Sequence, residues 1–249
     1  MISVYDGEEA LSRGAAEFFV SAARDAIAVR GCFSVALSGG STPRCTYELL
    51  AQPPCRDRVD WTRTHIFWGD ERCVEPNDPR SNVSMAREAL LNHVPIPAGQ
   101  VHPMDCRPSP EEGARRYADL LRDFFAGGKT SFDLILLGLG ENGHTASLFP
   151  GDPALTAPDR WVAPVYVAEP DLHRLTLTAG LINQAAVVAF LVSGAAKAAV
   201  VREVIQGPLD PLRLPAQLIH PEPGQLHWLL DQAAAGALNL EEMWPQALA

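Results

Sequence analysis

Residues 132–151 read FDLILLGLGENGHTASLFPG. Phe132 to Leu137 is a short run of strand length, apolar on both faces and ended by glycines, which fits a buried parallel strand. Gly138, Gly140 and Gly143 then spell G-x-G-x-x-G, and His144 follows where a helix is expected to start. The turn is either a dinucleotide fingerprint or a platform for His144. A fingerprint needs a long crossover helix behind it. The next segment, LFPGDPALTAPDR, carries Pro150, Pro153 and Pro158, which such a helix does not tolerate. The platform is the better reading.

Working outward, strand and helix signals alternate. Asp6 and Glu9 form a capping box for a helix that Gly31 stops. The strand Cys32 to Leu37 runs into SGGSTP (Ser38 to Pro43), with Pro43 opening a helix through about Ala51. His65 to Trp68 is the next strand, followed by a charged turn, Asp70-Glu71-Arg72. Helices are expected from Ser81, from Ser109-Pro110-Glu111-Glu112, and over Ala195 to Gln206. Further strands are expected at Trp161 to Val167, Leu175 to Thr178, Ala186 to Val192 and Leu226 to Leu230. The pattern predicts one α/β domain over residues 1–249, a mostly parallel sheet with helices on both faces and some antiparallel strands. In such folds ligands bind at the carboxyl ends of the strands, so SGGSTP, GDER, GENGH and VSGAAK should share one edge.

Apolar residues make up 47% of the 249-residue chain and charged residues 20%, as in a soluble globular protein. A formal net charge of -10 argues against a nucleic-acid or anionic-membrane partner, so any anionic ligand needs cations gathered locally. Cys32, Cys45, Cys55, Cys73 and Cys106 show no C-x-x-C spacing and read as reduced thiols of a cytoplasmic protein. No secretory leader is visible, and the apolar run Ala185 to Val192 is too short to span a bilayer. Seven histidines without paired spacing predict no metal site, and no cofactor is expected.

Four segments carry candidate chemistry. Gly39 and Gly40 allow close backbone approach, and Ser38, Ser41 and Thr42 offer hydroxyls and amides near a helix N-terminus that favours phosphate. The competing reading is an ordinary strand-to-helix turn capped by Thr42. His144 at a helix start would stay neutral and could serve as a general base, or simply cap. Lys197 reads by default as a solvated lysine, and Arg174 reaches the shared edge only if its strand is antiparallel.

Taken together, SGGSTP, FWGDERCVEPNDPRSN, LLGLGENGHTASLFPG, LHRLTLT and SGAAKAAVVREV resemble, in order, the 6-phosphogluconolactonases, relatives of the glucosamine-6-phosphate deaminases. GHTASLFPG is the most specific part; the deaminases carry a sequence closer to GHIAFNEPG. The resemblance implies a Rossmann-like fold of the sugar-phosphate isomerase and lactonase type. It implies hydrolysis of 6-phosphogluconolactone to 6-phosphogluconate in the oxidative pentose phosphate pathway. It assigns His144 as base, Asp70 and Arg72 to the catalytic turn, and SGGSTP, Arg174 and Lys197 to the sugar phosphate. Gly140, Glu141, Asn142 and Gly143 would position the loop. The family often has Asp where Asn142 stands, so a carboxylate role is excluded there. The alternatives are a deaminase or isomerase sharing the pocket, and a non-catalytic sugar-phosphate sensor. A monomer is favoured over an oligomer.

Overall fold

The computed structural model describes residues 1–126, 132–156 and 159–239. Nine strands and eight α-helices run along them. The strands are β1 (Ile2–Tyr5), β2 (Phe33–Leu37), β3 (Thr64–Trp68), β4 (Asp70–Arg72), β5 (Leu134–Leu137), β6 (Val162–Val167), β7 (Leu172–Leu177), β8 (Val187–Val192) and β9 (Gln225–Asp231). The helices are α1 (Glu8–Arg30), α2 (Ser41–Leu50), α3 (Cys55–Arg58), α4 (Asn82–Ala89), α5 (Pro110–Phe125), α6 (Ala179–Ile182), α7 (Ala198–Gln206) and α8 (Gln232–Ala235).

Six strands form one sheet in the order β1-β9-β8-β5-β2-β3, every neighbouring pair parallel. Every residue of β2 and β5 is buried, on both faces, which is why these strands show continuous apolar runs rather than alternation. The remaining three form a small antiparallel sheet, β4-β7-β6. Gly69 joins the two sheets: its N–H donates to Leu37 O at 2.8 Å, and its carbonyl accepts from Leu177 N at 2.8 Å. No helix among the described residues is long and apolar enough to cross a membrane.

Three expectations need correction. Asp70-Glu71-Arg72 is a strand, because its backbone pairs with Thr176, Leu175 and Arg174 of β7. The capping box at Asp6 does not form: Gly7 holds the N-cap without a side-chain bond, and Asp6 accepts instead from Gln232. Cys73 and Cys106 are joined as a disulfide that ties the end of β4 to the segment before α5, while Cys32, Cys45 and Cys55 are free thiols. Strand β1, which pairs with β9, was not expected: its residues are largely exposed and show no buried run.

Candidate active site

The turn after β2 is built to leave amides free. Gly40, with φ 110°, is the N-cap of α2 and offers no side-chain cap, so the first-turn N–H groups have no side-chain partner at the positive end of the helix. Thr42 lies inside the helix rather than capping it. Gly39 is required by packing, since a Cβ there would sit 1.9 Å from Asn82 Oδ1. Buried Tyr47 braces the strand end, its hydroxyl donating to Ser38 O and accepting from Ser38 N, both at 3.0 Å. The Ser38 Oγ is buried without a partner.

After β5 the chain closes a tight loop around His144. Gly140 N donates to His144 O at 2.8 Å, Gly143 N to Gly140 O at 3.0 Å, and Thr145 Oγ1 to Gly138 O at 2.9 Å. Gly143 has φ 80°, and a Cβ on Gly140 would lie 2.0 Å from the imidazole. Gly140 therefore makes room for the ring, while Gly143 supplies the left-handed turn before it and leaves space for Leu214. Asn142 Oδ1 accepts from the His144 backbone N at 3.3 Å and from ring Nδ1 at 2.6 Å. With the proton on Nδ1, the lone pair is on Nε2, which has no hydrogen-bond partner among the described residues.

No helix begins at His144; the chain turns back instead, with a bridge between Thr145 and Leu148. The neutrality expected from a helix dipole has another cause. Burial, reinforced by Arg174, Lys197 and Arg72 and opposed by Asp70, pushes the imidazole pKa down to about 4.

The small sheet brings two cations together. Arg72 and Arg174 are register partners across β4 and β7, and the Nε of each is buried without a partner. Facing like charges destabilise a sheet, a cost that an anion bound between them would relieve. Burial and Arg72 depress the Arg174 pKa, while Asp70 and Glu71 oppose them. Asp70 is itself buried and fully engaged, accepting from Ser147 Oγ at 2.6 Å and Asn82 Nδ2 at 3.1 Å. Glu71 is turned the other way: it caps α4, accepting from Asn82 N at 2.8 Å and Val83 N at 2.7 Å.

These parts line one cleft of about 300 Å³, into which all four strand-end turns contribute. Ser38, Gly39, Gly40, Ser41, Thr42, Asp70, Arg72, Gly140, His144, Arg174 and Lys197 lie on its wall. Glu141, Asn142 and Gly143 do not: Asn142 stands behind the imidazole, and exposed Glu141 reaches Lys197 Nζ at 3.9 Å. Sequence reasoning missed Asn82, Ser147 and Asp231. Asp231 accepts from Ser193 Oγ at 2.5 Å and Gly194 N at 3.0 Å, fixing the turn that carries Lys197. Only Asp231, as the N-cap of α8, left a local signal. Among the described residues no group of three or more His, Cys, Asp or Glu is placed to hold a metal ion.

The model of the glucosamine-6-phosphate isomerases/6-phosphogluconolactonase family matches residues 6–228. A 6-phosphogluconolactonase of Synechocystis sp. is 49% identical over 219 residues, 86% of this chain and 88% of that one. One of Nostoc sp. is 38% identical over 244 residues, covering 96% and 98%. The solved 6-phosphogluconolactonase of Trypanosoma brucei superposes with a TM-score of 0.81 at 31% identity, over 96% of this chain and 98% of that one. A match along most of its length to the family model, and to relatives at this identity, establishes that the chain belongs to the glucosamine-6-phosphate isomerase/6-phosphogluconolactonase family.

Proposed function

We propose that this chain hydrolyses 6-phospho-D-glucono-1,5-lactone to 6-phospho-D-gluconate, without a cofactor, as the lactone-opening step of the oxidative pentose phosphate pathway. Its relatives carry the name of that activity. The observation that carries the mechanism is a half-buried, neutral His144, held by Asn142 at Nδ1 and free at Nε2, in a cleft shared with two arginines whose Nε groups have no partner.

In this reading a water gives its proton to His144 Nε2 while its oxygen attacks the lactone carbonyl carbon. Arg72 meets the negative charge that develops on the carbonyl oxygen, and Asp70 stabilises the imidazolium. Collapse of the tetrahedral species breaks the bond to the ring oxygen, which takes the proton back from His144. A lactone is activated enough that no covalent enzyme intermediate is needed. The first-turn amides of α2, Arg174 and Lys197 hold the phosphate and set the carbonyl beside the water.

A deaminase needs bases on the substrate's carbon face. Asp70 is the one carboxylate lining the cleft among the described residues, and both its oxygens already accept hydrogen bonds. A sensor would need the cations but not a neutral histidine held in the cleft. The three free thiols, Cys32, Cys45 and Cys55, suit a cytoplasmic setting, whereas the Cys73–Cys106 disulfide counts against it. The test is acid release from freshly prepared 6-phosphogluconolactone alongside ammonia release from glucosamine 6-phosphate. Acid without ammonia is expected; ammonia, or no rate above spontaneous hydrolysis, refutes the reading.

A further inference from the structure

Five residues beyond His144 the chain brings a second ring back over the first. Ala146 has φ 48°, a left-handed conformation that a residue with a side chain adopts only when its surroundings impose it. They do so here. Leu148 N donates to Thr145 O at 2.9 Å and closes the reverse turn. Ser147, fully buried, is pinned to the small sheet from two directions, its N donating to Thr176 Oγ1 at 3.1 Å and its Oγ to Asp70 Oδ2 at 2.6 Å. The outcome is that Phe149 stacks on His144, ring centroids 4.4 Å apart at 30°. The same ring also carries the Arg174 guanidinium, with Cζ 5.3 Å from its centroid.

We propose that Phe149 is a positioning residue that seats the His144 imidazole and the Arg174 guanidinium together, so that one ring fixes the spacing between the base and the anion-binding cation. The assignment rests on the lactonase reading for its catalytic meaning, though not for its test. An aromatic ring suits both neighbours. A carboxylate would hold Arg174 equally well but would consume the charge that the ligand needs. The face of a phenyl ring attracts the guanidinium and leaves its N–H groups free, in keeping with the unpartnered Nε of Arg174. On the other side the ring occupies space from which water would solvate an imidazolium, and burial is the largest cause of the low His144 pKa. The charged groups that act on His144 are Asp70 and Arg72 of β4, Arg174 of β7 and Lys197 after β8. Phe149 is the uncharged member of this set, so replacing it leaves their charges unaltered.

The experiment compares the wild-type chain with Phe149→Leu and Phe149→Tyr by two readouts that do not involve the lactone. The first is the NMR titration of the His144 ring. The second is the calorimetric affinity for inorganic phosphate. In the leucine variant His144 should titrate above its value of about 4, and phosphate affinity should fall between about twofold and thirtyfold, the range for losing a cation–π contact. Tyrosine, which keeps the ring face, should restore both. In an Arg174→Ala background the leucine substitution should no longer change phosphate affinity yet should still move the titration. If leucine prevents folding, Phe149→Met carries the same readouts. The assignment is overturned by a folded leucine or methionine variant with both readouts unmoved, or by a tyrosine variant as impaired as leucine. Failure of the lactonase reading itself would appear only in the activity assay, so the two failures are distinguishable.

Discussion

Replacing Asn142 by aspartate tests how His144 is set. Asn142 Oδ1 lies 2.6 Å from Nδ1, so Asn142→Asp places a carboxylate against the imidazole with no change in shape. Two unit charges about 4 Å apart interact by about 1 kcal/mol in a water-like medium and about 4 kcal/mol at an effective dielectric of about 20. At about 1.4 kcal/mol per pKa unit this raises the His144 pKa by roughly 1 to 3 units. Asn142 is exposed, which favours the lower half of that range. The sign follows from the base being active when neutral. The activity of the parent chain should fall only as the pH drops through about 4. In the variant the acid limb of kcat/KM should move to between about 5 and 7. At pH 5 the variant should be the slower enzyme, and at pH 8 the two should be alike. The assay is a stopped-time measurement of 6-phosphogluconate formed, corrected for spontaneous hydrolysis at each pH. An acid limb that stays in place would refute both the base assignment and the role of Asn142 in holding it.

His144→Ala should lower kcat by about 10²-fold or more, the usual scale for a general base, with phosphate affinity little changed; a folded variant of full activity would remove His144 from the mechanism. Arg174→Ala and Lys197→Ala should each raise KM for the phosphorylated lactone, by about 1.5–3 kcal/mol for a lost charge-assisted hydrogen bond. Turnover of unphosphorylated gluconolactone should hardly change, and equal damage to both substrates would make these residues structural. Exhaustive chelation should leave the rate intact; a loss reversed by one divalent ion would contradict a metal-independent mechanism.

The sequence was most legible where function and local geometry coincide. SGGSTP and GLGENGH are glycine turns at the ends of buried strands, and their position on the sheet edge follows from strand–helix alternation alone. What escaped depends on contacts made far along the chain. The three residues of β4 are too few to show a period, and they form a strand only because β7 pairs with them about a hundred positions later. Arg174 reaches the cleft for the same reason, as a member of a sheet that runs antiparallel. Asn82 and Ser147 give no local sign of meeting at Asp70. His144 lines the cleft, but the helix start expected there is absent, because a glycine turn after a strand ordinarily starts a helix and this one is followed by a reverse turn.

The arginine pair on β4 and β7 sets stability against activity. In the unliganded chain two cations face each other across adjacent strands, with part of each guanidinium buried and unsatisfied. Each contributes repulsion and desolvation that the fold must absorb. Substituting either by a neutral residue of similar shape should make the empty protein more heat-resistant and, on the proposed function, weaken its grip on an anion. Selection for thermal stability alone would therefore erode this pair, and only turnover retains it. An anion bound there, as the proposed function requires, would relieve the same repulsion and stabilise the native state by mass action, which would tie the protein's persistence to the supply of its ligand.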